Sequence, residues 1–153
     1  THGVGDVKEF DKWSMPGFNF RFTDVLASIG IEQLKRLPER IKHLKELYNM
    51  YDEGLKDTKF RIIPVNLDQG EVPVYNEFLV ENRGALIKRL ERADIQALPF
   101  VPNLDKAHYL PQIKYNFPNS IKYGINGITL PSGPTQKKVD VEFVINRIKC
   151  MKN

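Results

Sequence analysis

The sequence predicts an α+β fold: a mostly antiparallel sheet with helices on one face, preceded by two helices. Three observations predict it. Apolar residues recur three and four apart in the first third of the chain and again at its end, the period of amphipathic helices. After Lys59 the pattern shifts to short β-rich runs. From there the order is strand, strand, helix, strand, loop, strand, helix, which suits helices layered over one sheet. At 153 residues the chain is long enough for one domain with its own core. With 41% hydrophobic and 27% charged residues, it has a globular rather than a disordered composition.

The first helix is predicted from Thr23 or Asp24 to Leu37. Thr23 suits the N-cap, and Asp24 suits the positive end of the helix dipole. Val25, Leu26, Ile29 and Ile31 leave almost no polar face in its first two turns, so this part belongs in a core or an interface. Ala27, Ser28 and Gly30 are small enough for another backbone to come close. Pro38 breaks this helix and fits the first turn of a second, which runs to about Leu55. Its apolar stripe is Ile41, Leu44, Tyr48, Tyr51 and Leu55, with Gly54 a weakening near the end.

Lys59–Val65 and Val72–Asn82 read as strands separated by a loop containing Asn, Asp and Gly. Asn82 then caps a helix from Arg83 to Ala93, with Leu86, Ile87 and Leu90 inward. Ile95–Phe100 reads as a strand. Val101–Asn126, rich in Pro, Asn, Tyr and Lys, reads as an irregular loop with short helical turns. Gly127–Pro131 is a short strand. Thr135 caps the last helix, whose stripe is Val141, Val144, Ile145, Ile148 and Met151.

Several classes of function find no support. The net charge of +4 comes from Lys and Arg interleaved with Glu and Asp, as in "KRLPERIKHLKE", the pattern of solvated helix faces. No nucleic-acid motif accompanies it. No apolar run approaches the roughly 20 residues of a membrane span, and no signal pattern opens the chain. One cysteine, Cys150, makes no internal disulfide, so a reducing cytoplasm is the expected compartment. Three scattered histidines and one cysteine give no metal-ligand spacing. "NRGALIKR" is not a phosphate loop. The start at Thr1, with no clear period over its first residues, reads like the middle of a longer chain.

The most informative stretch is "PGFNFRFTDVLASIGIEQLKRL", Pro16 to Leu37. Asn19 offers an amide and Arg21 a charged fork, just ahead of the positive end of an apolar helix. Such directed donors suit a phosphate. They also suit a turn shaped by Asn19 and an ion pair made by Arg21, and the residues alone favour this second reading.

The same stretch resembles the DegT/DnrJ/EryC1/StrS family of sugar aminotransferases that depend on pyridoxal phosphate (PLP). Gly17-Phe18-Asn19-Phe20-Arg21, followed by Thr23-Asp24, Ala27, Gly30 and Gln33-Leu34, is similar to the family's Gly-Tyr-Asn-Tyr-Arg signature and its helix. His2-Gly3, Val74-Tyr75-Asn76-Glu77-Phe78, Ile95 through Pro99-Phe100 and Ile128-Thr129-Leu130-Pro131 match further family segments in order. The resemblance implies the small C-terminal domain of a fold-type I PLP-dependent transferase. Residues 1–37 would be the end of the large domain and a connecting segment, and residues 38–153 the small domain. It implies a homodimer with a shared active site, acting on a nucleotide-linked keto-sugar with an amino-acid donor, usually glutamate. The matching Asn19 would reach the cofactor phosphate of the neighbouring subunit, with Arg21 close by. On family spacing the Schiff-base lysine lies before Thr1, so this chain alone is expected to be inactive. Relatives with His in place of that lysine dehydrate sugars instead, and a non-catalytic binding or assembly module is a third reading.

The remaining candidates for substrate binding are Tyr75, Asn76 and His108. A strand tyrosine such as Tyr75 either hydrogen-bonds a sugar or packs with its tip in water. Asn76 stands where the family often has His. His108 lies in the loop that corresponds to a substrate-facing segment. Leu98 replaces the family's usual Arg before Pro99-Phe100, which removes an anionic contact there. His43 is expected at the surface.

Overall fold

The structure is a computed structural model that describes residues 23–111 and 116–151. Helix α1 spans Asp24–Lys35 and α2 spans Leu37–Leu55. The sheet contains β1 (Arg61–Ile62), β2 (Asn76–Leu79), β3 (Leu98–Pro99) and β4 (Gly127–Leu130). Helix α3 (Arg83–Glu91) follows β2, α4 (Pro118–Asn126) precedes β4, and α5 (Lys138–Cys150) follows it. The strand order is β1-β2-β4-β3, and every pairing is antiparallel. The expected α+β class and antiparallel sheet are therefore present.

Strand register decides which side chains reach the core. Phe78 pairs with Ile128 and with Ile62, and Asn76 pairs with Leu130. Directly opposed residues share a face, so these residues line one side of the sheet. Against Phe78, Val80, Ile128 and Leu130 pack Leu47, Tyr51 and Leu55 of α2, Leu90 of α3, and Val141, Val144, Ile145 and Ile148 of α5. Tyr51 and Phe60 both meet Phe78 edge-on, at centroid distances of 5.8 and 6.1 Å. The α2 stripe differs from expectation at its first half. Leu47 is fully buried, whereas Ile41 and Leu44 are only half-buried, because α2 runs over the sheet only from its middle onward.

Helix α2 approaches α5 closely at Gly54. A Cβ built there would lie 2.7 Å from Ile145 Cδ1 and 2.9 Å from its Cγ2. What reads in sequence as a weak point is the place where two helices touch. Further ties hold α2 down. The Tyr51 hydroxyl donates to Pro131 O (3.0 Å), and His43 Nε2 lies 2.7 Å from Gln136 O. His43 is accordingly half-buried and structural rather than a surface residue.

Several expected boundaries are corrected. The strands are shorter than their sequence runs, because only the paired residues form ladders. The segment 101–126 holds a full helix, α4, in addition to a 3₁₀ turn at Leu104–Lys106. Pro118 at its first turn and the guanidinium of Arg83 at its end define it. Arg83 Nη1 donates to Gly124 O (2.6 Å) and Gly127 O (3.0 Å). Asn82 precedes α3 in the left-handed region (φ 53°) and makes no side-chain cap bond. The cap of α5 is Lys137, not Thr135, again without a side-chain bond.

Thr23 does cap α1, accepting from Leu26 N (3.3 Å). The burial of α1 does not follow within this chain. None of its residues is buried: Val25 is 70% exposed, and Leu26, Ile29, Ile31 and Leu34 are exposed as well. Of the two places a helix this apolar belongs, the core formed by the described residues is excluded.

Candidate functional site

Asn19 and Arg21 lie outside the described residues. The helix expected immediately after them is present, with Thr23 as its cap and Asp24 in its first turn. Of the other candidates, Tyr75 is 62% exposed just before β2. Asn76 opens β2 and is 1% exposed on the core face beside Phe78. Alternation along the strand turns it inward, so Asn76 is withdrawn from solvent among the described residues. Its Oδ1 has no hydrogen-bond partner among the described residues.

The same alternation sends Glu77 to the opposite face. There it pairs with Thr129, which pairs in turn with Leu98. The Glu77 carboxyl is half-buried, and that burial raises its pKa. Reading the strand only as a family segment passes over Glu77. Counting outward from Phe78 as a core residue would have placed it.

His108 is exposed in the turn that follows the Leu104–Lys106 turn. No hydrogen bond or ion pair joins it to Tyr75 or Asn76 among the described residues. What this segment does enclose is a cavity of about 330 Å³ lined by Leu104, Asp105, Leu110, Pro111, Phe117 and Ser120. Asp105 Oδ2 pairs with Lys106 Nζ (2.9 Å), while Oδ1 is buried without a partner. An apolar hollow with one such acceptor suits a hydroxyl or amine on a small molecule. Asp105 is a residue that sequence reasoning missed, since nothing distinguishes it from other loop acids. The hollow is fixed by Asn103, whose Nδ2 donates to Ser120 O (3.1 Å) on α4, and by buried Ala107.

Among the described residues no three His, Cys, Asp or Glu side chains converge to hold a metal ion. Nor is any described helix long and apolar enough to cross a membrane.

Comparison with known proteins settles the lineage. The model of the DegT/DnrJ/EryC1/StrS aminotransferase family matches residues 1–149. The chain belongs to that family. GDP-perosamine synthase of Vibrio cholerae is 30% identical over 154 residues, a match covering 89% of this chain and 38% of the relative. GDP-4-keto-6-deoxy-D-mannose 3-dehydratase of Escherichia coli O55:H7 is 27% identical, covering 79% of this chain and 34% of the relative. Among solved structures, the aminotransferase TlmJ from Streptoalloteichus hindustanus is 25% identical with a TM-score of 0.72, covering 83% of this chain and 36% of that one. The putative sugar aminotransferase Spr1654 of Streptococcus pneumoniae in its PMP form is 21% identical with a TM-score of 0.73, covering 90% and 37%, and shares the fold. The chain thus spans well under half the length of the DegT/DnrJ/EryC1/StrS relatives it matches.

Proposed function

We propose that this chain is the C-terminal region of a PLP-dependent sugar aminotransferase. The intact protein would move an amino group from an amino acid, glutamate, to a nucleotide-linked keto-sugar. The family match over residues 1–149, together with relatives such as GDP-perosamine synthase, supports this reading. Residues 1–37 would close the large domain, and residues 38–153 would form the small one.

Helix α1 is the structural observation that carries the reading. An apolar helix left bare by the described residues needs covering by another part of the intact protein or by a second subunit. A homodimer with α1 in or beside the shared boundary meets that need. Such a dimer would also bring the residues just before α1 near that boundary.

The donor set at those residues fits the cofactor phosphate. Asn19 would donate from its amide and Arg21 from its guanidinium, each toward an anionic oxygen, while α1 begins at Asp24 immediately beyond them. When bound, pyridoxal phosphate supplies the electron sink that amino-group transfer needs. The residues of this chain orient and retain it. Tyr75, exposed beside β2, would offer its hydroxyl to a sugar, as would the ring of His108, and the Asp105 hollow would receive a polar substituent. The Schiff-base lysine belongs to the part of the protein before Thr1, and this chain alone would not catalyse transfer.

The test is an amino-transfer assay on the intact protein with glutamate, PLP and nucleotide-linked keto-sugars. Transfer supports the reading; binding of PLP without transfer to any such sugar counts against it. A dehydratase is the second reading, favoured by the relative that bears that name. A histidine at the Schiff-base position upstream, with sugar dehydration in place of transfer, would select it.

A further inference from the structure

A cleft of about 580 Å³ lies between the outer end of the sheet and α4, and none of the site residues assigned above lines it. It is lined by Thr58, Lys59, Arg61, Leu79, Val80, Glu81, Lys122 and Asn126; the argument rests on its charges. Three cations line it, two from the β1 segment, Lys59 and Arg61, and one from α4, Lys122. Glu81 is the one carboxylate in the lining.

Strand register sets the direction of Arg61. Arg61 pairs with Leu79 while its neighbour Ile62 pairs with core residue Phe78, so Arg61 stands on the non-core face beside Leu79. None of the three cations makes an ion pair or side-chain hydrogen bond among the described residues, and Glu81 lies in no ion pair with them. Two arginines elsewhere are engaged. Arg83 is spent on the end of α4, and Arg89 reaches Met151 O near the end of α5. The Thr58 hydroxyl is also engaged, donating to Leu55 O (2.6 Å), so the directed donors left in the cleft are those of Lys59, Arg61, Lys122 and Asn126.

We propose that this cleft binds a diphosphate group, held by Arg61, Lys59 and Lys122 beside Leu79. A guanidinium fork flanked by two ammonium groups matches the several oxygens of a diphosphate better than it matches a single carboxylate. Lys and Arg on an edge strand also discourage strand-to-strand association, and β1 is an edge. That role requires no cation on α4 and no shared cleft, so Lys122 separates the two.

The experiment is titration of the intact protein with inorganic pyrophosphate by calorimetry at low and at physiological salt. GDP-mannose is titrated in parallel to learn whether the diphosphate is taken free or within a sugar nucleotide. The expected result is saturable pyrophosphate or GDP-mannose binding that weakens about tenfold in Lys122→Gln and in Arg61→Gln. Arg147→Gln, on α5, should leave it unchanged, and thermal melting should confirm that all three variants fold. Absence of binding by either probe, or equal loss in Arg147→Gln, would overturn the proposal. Because binding is read without turnover, its failure is separate from failure of the proposed amino transfer.

Discussion

The Tyr51 hydroxyl donates to the carbonyl of Pro131 at 3.0 Å, fastening the middle of α2 to the chain just beyond β4. The ring lies fully buried against Phe78, and the phenol is its only polar atom. Tyr51→Phe keeps the packing and removes the donor, which should cost about 1 kcal/mol of stability in urea unfolding. The pH dependence carries a sign. Burial raises the Tyr51 pKa above its ordinary value of 10.0. The raised value means that the neutral phenol is favoured in the fold, so the contribution is complete below the unfolded pKa and declines as pH rises above it. Stability should fall above about pH 10, and the fall should be shallower in Tyr51→Phe.

Glu77 has a folded pKa raised by burial. The contribution is again present below the unfolded pKa and lost as pH rises through the folded one, here in the carboxylate range. Glu77→Gln should therefore raise stability at neutral pH relative to the parent chain and have little effect at acid pH. Thermal melts at two pH values measure this directly.

Arg83 closes the junction between α4 and β4 through Gly124 O and Gly127 O. Arg83→Ala should destabilise the protein by about 2 kcal/mol, since bonds from a charged donor are worth more than neutral ones. Arg83→Lys should restore only part of that, because an ammonium lacks the planar fork. Hydrogen exchange should show the loss concentrated in α4.

Gly54→Ala places a methyl against Ile145. The contact lies with a side chain, which can shift at a cost, and about 1 kcal/mol of destabilisation is expected from denaturant unfolding. Gly54→Ala combined with Ile145→Val should recover part of it, as the two changes share one contact.

Much of this fold could be read from residues alone, and the exceptions share a cause. The α5 stripe Val141, Val144, Ile145 and Ile148 reads correctly because one helical period meets one flat partner. Leu47 was missed because the pattern of α2 carries apolar residues on two adjoining rows, and only the position of the sheet chooses between them. Helix α4 was missed because Pro, Asn and Gly signal turns locally, while Arg83, far away in sequence, supplies its C-terminal partner. Asn76 looked like a site residue because its neighbours match a family segment. Register, which no single strand specifies, turned it to the core and Glu77 away from it. The bare face of α1 was legible as apolar, and none of the described residues covers it.

The central claim is that the donors ahead of α1 hold a cofactor phosphate across a subunit boundary. The most direct measurement is PLP retention by the intact protein after dialysis, followed by absorbance, for the parent and for Asn19→Ala. Markedly faster PLP loss in Asn19→Ala, with the dimer and the melting temperature preserved, is the predicted result. Equal PLP retention in the two proteins would contradict the claim.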